Sequence, residues 1–110
     1  MNHGLHYSLS KSIITNDDVI KWLEGFIREY EILKNRLNDL EQNESTKIAY
    51  NDTVVIIKEF NVLIIKLKDN KLARQDKIDL INYLNKARKN IEEEGGDIGG
   101  IERYIQDLNG

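Results

Sequence analysis

Apolar positions recur along the first two-thirds of the chain with a single period. Val19, Leu23, Phe26, Tyr30, Leu33, Leu37 and Leu40 step alternately by four and three, and Ala49, Thr53, Ile56, Phe60, Leu63 and Leu67 do the same. Alternating steps of this kind keep side chains on one face of an α-helix, and a sustained run describes a helix packed along another. The spacing predicts a first helix from a cap at Thr15 or Asn16 to about Gln42. Asp17 and Asp18 place negative charge at the positive end of its dipole. On its outer face Glu24 and Arg28 stand four apart, the spacing of a helical ion pair. Asn43, Glu44 and Ser45 then form a turn, and Ser45 or Thr46 caps a second helix over about 46–69.

The second helix has a competitor. Val, Ile and Thr crowd 53–67, and β-branched residues favour strands. A hairpin there would turn at Glu59, Phe60 and Asn61, which lack the glycine chemistry of a tight turn. Polar positions do not alternate, while Ala49, Thr53, Ile56, Ile57, Phe60, Leu63, Ile64 and Leu67 share one helical sector, so helix is the reading adopted. Asp69, Asn70 and Lys71 form the next turn. A third helix starts between Ala73 and Asp76 and ends near Glu94, with Lys77, Leu80, Leu84, Ala87 and Ile91 on its inner face and the Lys77 stem along the core edge. Gly95 and Gly96 end it. Ile101 to Leu108 forms a two-turn helix with Ile101, Tyr104, Ile105 and Leu108 on one face, too short to stand alone. Residues 1–14 show no period and are expected to be a flexible arm whose Ser12, Ile13 and Ile14 touch the bundle.

The expected fold is all-α: an antiparallel three-helix bundle of long, coiled-coil-like helices over 15–94, then a glycine-rich hinge and short C-terminal helix over 95–110. With 110 residues, no proline and no cysteine, the chain suits one domain held by burial alone. No run reaches the roughly 18 apolar residues of a membrane span, and the first residues lack a secretory pattern, so a cytoplasmic protein is expected. Asn43 and Asn51 head glycosylation sequons that lack an export signal to make them meaningful. Ile, Lys and Asn supply 39 of the 110 residues, the bias of an AT-rich genome such as that of a low-GC bacterium or its phage.

The second helix carries more apolar surface than one face needs. Outside its main stripe lie Ile48, Val55, Val62 and Ile65, the first three spaced by seven. Burying such side chains yields about 1.5–3 kcal/mol each, so a ridge of this kind is expected to be covered. Either the helix is central in its own bundle, or the ridge meets a second copy or another protein's helix. These four are the candidate protein interface.

Charge is segregated. Residues 66–89 carry 8 basic and 3 acidic side chains, whereas residues 90–110 carry 1 and 6. Lys71, Arg74, Lys86, Arg88 and Lys89 are candidate contacts for nucleic-acid phosphates. Cations near helix C-termini also complement the dipole without a ligand, and no aromatic platform or nucleic-acid motif accompanies them, so this reading is secondary.

Chemistry is sparse. His3 and His6, the two histidines, are too few for a metal site. The Gly95, Gly96, Gly99 and Gly100 run lacks the Lys and Ser/Thr of a phosphate loop. Glu92, Glu93 and Glu94 form a charge run at a helix end, and Trp22 is expected in the core beside Leu23 and Phe26. No catalytic set, cofactor or metal site can be assembled, and no enzyme is expected. The expected function is a protein–protein interaction module (adaptor, assembly factor or inhibitor) that binds a protein partner or itself through the second helix. The alternatives are a nucleic-acid accessory protein or an immunity- or antitoxin-type inhibitor with an acidic surface.

Overall fold

The structure, a computed structural model, describes residues 9–110; His3 and His6 lie outside them. The described residues form four helices, α1 (Asn16–Asp39), α2 (Glu44–Lys68), α3 (Arg74–Glu93) and α4 (Gly99–Asn109), and no strand. The β-branched stretch 53–67 therefore coils within α2. Its hydroxyl at Thr53 turns back to the Ala49 carbonyl at 2.7 Å, which lets a buried threonine sit inside a helix.

Helix ends follow local hydrogen bonding. Thr15 caps α1: its Oγ1 accepts from the Asp18 N–H at 3.4 Å, and Asp18 Oδ2 accepts from the Thr15 N–H at 2.9 Å, a capping box. The helix stops at Asp39, short of the expected Gln42. Leu40 turns extended, and Gln42 Nε2 donates to the carbonyls of Leu37 and Leu40 at 3.2 and 2.9 Å, so a side chain does the work of another turn. The next cap is Asn43, not Ser45 or Thr46. Asn43 Oδ1 accepts from the Thr46 N–H at 3.0 Å while Thr46 Oγ1 accepts from the Asn43 N–H at 2.9 Å. Thr46 is thus the far corner of the box, and α2 begins two residues earlier than expected.

Helices α2 and α3 both end in Schellman turns. After α2, Asn70 takes a left-handed φ of 54° and the Lys71 N–H donates to the Lys66 carbonyl at 2.9 Å. After α3, Gly95 has φ 78° and the Gly96 N–H donates to the Ile91 carbonyl at 2.8 Å. Between these ends Ala73 offers no side-chain acceptor, but Asp76 Oδ2 accepts from its N–H at 2.9 Å and from Lys66 Nζ at 2.9 Å, tying the start of α3 to α2. The Glu24–Arg28 pair is not made; Lys34 instead pairs with Glu31 at 3.0 Å.

The closest helix pairs are α1 with α2 and α3 with α4. The two hairpins meet around a core of Leu9, Val19, Trp22, Leu23, Phe60, Leu63, Ile64, Leu67, Leu80, Leu84, Ala87, Ile91 and Ile101. Rings link them: Phe60 lies 6.1 Å from Phe26, 6.0 Å from Tyr30 and 5.2 Å from Tyr83, centroid to centroid. Only half of each long stripe is buried. On α1 the buried residues are Val19, Ile20, Trp22, Leu23 and Gly25, and on α2 they begin at Thr53. Leu33 and Leu40, expected on the inner face, are exposed, and so is Lys77.

Residues 9–14, expected to belong to a flexible arm, form a packed strap across α4. Leu9 has no exposed surface and Ile14 is buried, while Ile13 points out. The Gly100 N–H donates to the Lys11 carbonyl at 2.9 Å, Ser12 Oγ donates to Asp97 Oδ2 at 2.8 Å, and the Asp97 N–H donates to Ser10 Oγ at 3.1 Å. Just beyond the strap, Tyr104 donates from its hydroxyl to Asn16 Oδ1 at 2.6 Å. Helix α4 starts at Gly99 rather than Ile101: the Gly99 N–H donates to Asp97 Oδ1 at 2.9 Å and the Gly100 N–H to Lys11, so both first-turn donors are satisfied. The strap crosses its first turn so closely that a Cβ on Gly100 would lie 2.5 Å from the Lys11 carbonyl oxygen.

Two predictions follow from the strap's geometry. Gly100→Ala forces the strap off α4 and is expected to cost about 1–3 kcal/mol in a denaturant titration, the usual cost of an overpacked site. The second concerns acid. Burial pushes the Asp18 carboxyl up, but hydrogen bonds from Lys11 and from the Thr15 N–H and hydroxyl outweigh it and hold it below its ordinary 3.8. Asp97 is held low by the Gly99 N–H and the Ser12 hydroxyl. Carboxyls that ionise more readily folded than unfolded stabilise fully above the unfolded value, and that contribution is lost as pH falls through the depressed one. Exchange protection of the Gly100 N–H, corrected for intrinsic rate, should be level from pH 7 to about pH 5 and fall below about pH 4. Asp18→Asn should flatten that loss.

Candidate protein interface

The ridge on α2 stands in solvent. Ile48 is 53% exposed, Val55 52%, Val62 41% and Ile65 59%. A helix repeats every 3.6 residues, so Ile48, Val55 and Val62 drift by only about 20° per step and form one line along the face turned from the core. Val54 extends that face, at 40% exposed. The ridge does not end at bare solvent on its α3 side. Val55, Val62 and Leu63 line an open groove whose far wall is Tyr83 and whose rim carries Glu59, Asp76 and Asp79 with Lys58. Asp76 is engaged by Lys66, which holds its carboxyl below the ordinary range together with the Ala73 N–H. Glu59 and Asp79 remain as acidic rim groups near the Tyr83 hydroxyl, and burial and then these two carboxylates push the Tyr83 phenol above its ordinary 10.0.

The half of the α1–α2 hairpin nearest its turn adds further apolar surface: Ile32 is 51% and Leu40 54% exposed. The α3 side chains that meet the hairpin do so at residues 22–30 of α1 or 55–66 of α2. Toward the hairpin turn Ile32, Leu33 and Leu40 of α1 and Ile48 of α2 are exposed. The periodicity places Leu33 and Leu40 on the inner stripe of α1, and both are exposed. What the periodicity lacked was the place where the covering helix meets the hairpin.

The five candidate phosphate contacts are not brought together. Lys71 and Arg74 sit at the start of α3, and Lys86 lies about 18 Å further along it at 1.5 Å per residue. Lys86 and Arg88 point about 160° apart around the helix. Arg88 is half-buried, with its Nε enclosed and without a partner among the described residues. A backbone-tracking groove needs cations in a row, and this set does not form one.

Comparisons with protein-family models, with curated proteins and with solved structures found no match to this chain. No helix among the described residues is long and apolar enough to cross a membrane.

The groove wall yields a prediction. Since the Glu59 carboxylate disfavours the Tyr83 phenolate, Glu59→Gln is expected to lower the Tyr83 pKa toward 10.0 without reaching it, because burial remains. A ring-carbon NMR titration of Tyr83 checks the direction.

Proposed function

We propose that this chain is a small non-enzymatic protein–protein interaction module, an adaptor, assembly factor or inhibitor of the cytoplasm. In this reading α1, α2 and α3 act as an antiparallel three-helix bundle with the short C-terminal helix closing one end. The bundle presents Ile48, Val55, Val62 and Ile65 to a helix of a partner or of a second copy. The observation that carries the reading is the exposure of those four side chains, each more than two-fifths in solvent, with Ile48, Val55 and Val62 along one line of α2 and Ile65 beside it. Contiguous apolar surface of this kind on a soluble protein marks an association site. An amphipathic helix laid along the ridge would place its apolar face on Val55 and Val62 and its flank beside Glu59 and Asp79, so basic flanking residues suit it. An inhibitor that covers a basic target is a special case of this arrangement. Nucleic-acid binding through Lys71, Arg74, Lys86, Arg88 and Lys89 gains no support, because those cations are scattered.

The test is Val62→Asp. The position is exposed and outside the core, so helical circular dichroism should match wild type. Mass by light scattering, or partner capture, should fall, with affinity weakened at least about tenfold if Val62 is an anchor. Unchanged mass together with unchanged capture would remove the proposal.

A further inference from the structure

A second concavity lies on the other side of Tyr83, between α1 and α3 and away from the ridge. Trp22, Leu23, Phe26 and Tyr30 face it from α1; Tyr83, Lys86, Ala87 and Asn90 face it from α3; Phe60 of α2 is its floor. The α1 and α3 residues recur at helical spacing, so each set is one face of its helix. The sequence marks the α1 stripe for close packing. Instead the large rings hold the two helices apart and leave about 250 Å³ between them. This space is just under the roughly 300–1,000 Å³ of sites for drug-sized ligands, which suits one or two fused rings.

The polar groups of the groove lean one way. Trp22 is 3% exposed, yet its Nε1–H is enclosed and has no acceptor among the described residues. Buried indole N–H groups normally find one. Lys86 is exposed and makes no ion pair among the described residues. Asn90 supplies an amide, and no carboxylate lines the space. The lining is five aromatic rings, one ammonium and one carboxamide. We infer that the groove between α1 and α3 is a binding site for a small aromatic carboxylate, its ring stacked among Trp22, Phe26, Tyr30 and Tyr83 and its anion held by Lys86. Ring edges and faces give the apolar contact, and the ammonium gives a charge-assisted hydrogen bond that a neutral ring cannot receive. This site is separate from the ridge on α2 and does not depend on it.

The chain has one tryptophan, so a nitrogen–proton correlation spectrum of the full chain contains a single indole signal, that of Trp22. Phenylacetate, phenylacetamide and 2-phenylethylamine are the probes: one ring and nearly one shape, carrying negative, zero and positive charge. Phenylacetate is expected to move the indole signal saturably and to bind about tenfold or more tightly than the amide, the usual margin of a charge-assisted hydrogen bond over a neutral one. The amine should bind weakest. In Lys86→Met, whose exposed position leaves folding intact, phenylacetate should lose that margin and bind like the amide. The inference is overturned if phenylacetate gives no saturable shift. It is equally overturned if the three probes bind alike, or if Lys86→Met keeps the preference for the acid. Val62→Asp should leave the phenylacetate shift unchanged, which separates this site from the proposed association face.

Discussion

The molecule is organised by an uneven covering of its long hairpin. At 1.5 Å per residue, the 25 residues of α2 span about 37 Å. The helix that covers them, α3, spans about 30 Å, yet it meets the hairpin around Phe60 and Lys66 and not at the hairpin turn. Burial is therefore concentrated at one end. There Leu23, Leu80, Leu84 and Ile101 are wholly enclosed, while Ile32, Leu40 and Ile48 near the hairpin turn stay wet. A two-helix hairpin in water has little to gain from its outer apolar residues, so the fold is stabilised at one end and carries apolar surface at the other.

The covered end is closed by devices that do not depend on helix propensity. The strap over 9–14 supplies Leu9 to the core and hydrogen-bonds to the first turn of α4, which at 11 residues is too short to hold itself. Tyr104 then bonds to Asn16, so α4 fastens the start of α1 as the strap fastens α4. Burial pushes the Tyr104 phenol up to about 12, the mark of a hydroxyl kept as a neutral donor. Gly100 of α4 lies against Ile14 of the strap, and one cluster of buried side chains joins strap, α4 and both hairpins.

Periodicity made the long helices readable, since α1 and α2 repeat every three or four residues and no other pattern fits both. It also exposed the ridge, because Ile48, Val55 and Val62 break the rule of one apolar face. Three things escaped it. The strap escaped because Leu9 and Ile14 bury as single side chains in a segment of turns and bends, which leaves no period. The true cap of α2 escaped because Asn43 works only with Thr46 as its reciprocal partner, and Ser45 beside it is an equally good cap by residue type. The inner fate of Leu33 and Leu40 escaped because a stripe records which face is apolar, not how far the neighbouring helix reaches.

The aromatic groove shows the same limit from the other direction. Trp22, Phe26 and Tyr30 obey the core pattern of α1, and pattern alone assigns them to dense packing. Their bulk prevents it. With Phe60 beneath and Tyr83 opposite, five rings meet where α1 and α3 would otherwise close, and edge-on contacts such as Trp22 against Phe26 at 5.1 Å and 79° hold the rings apart rather than stacking them flat. A leucine at Tyr30 or Tyr83 would serve the helical stripe equally well and would fill less of the rim. In the proposed site Tyr30 and Tyr83 supply part of the lining and Lys86 its one charge, so selectivity for a flat anion would rest on side chains outside the fully buried core.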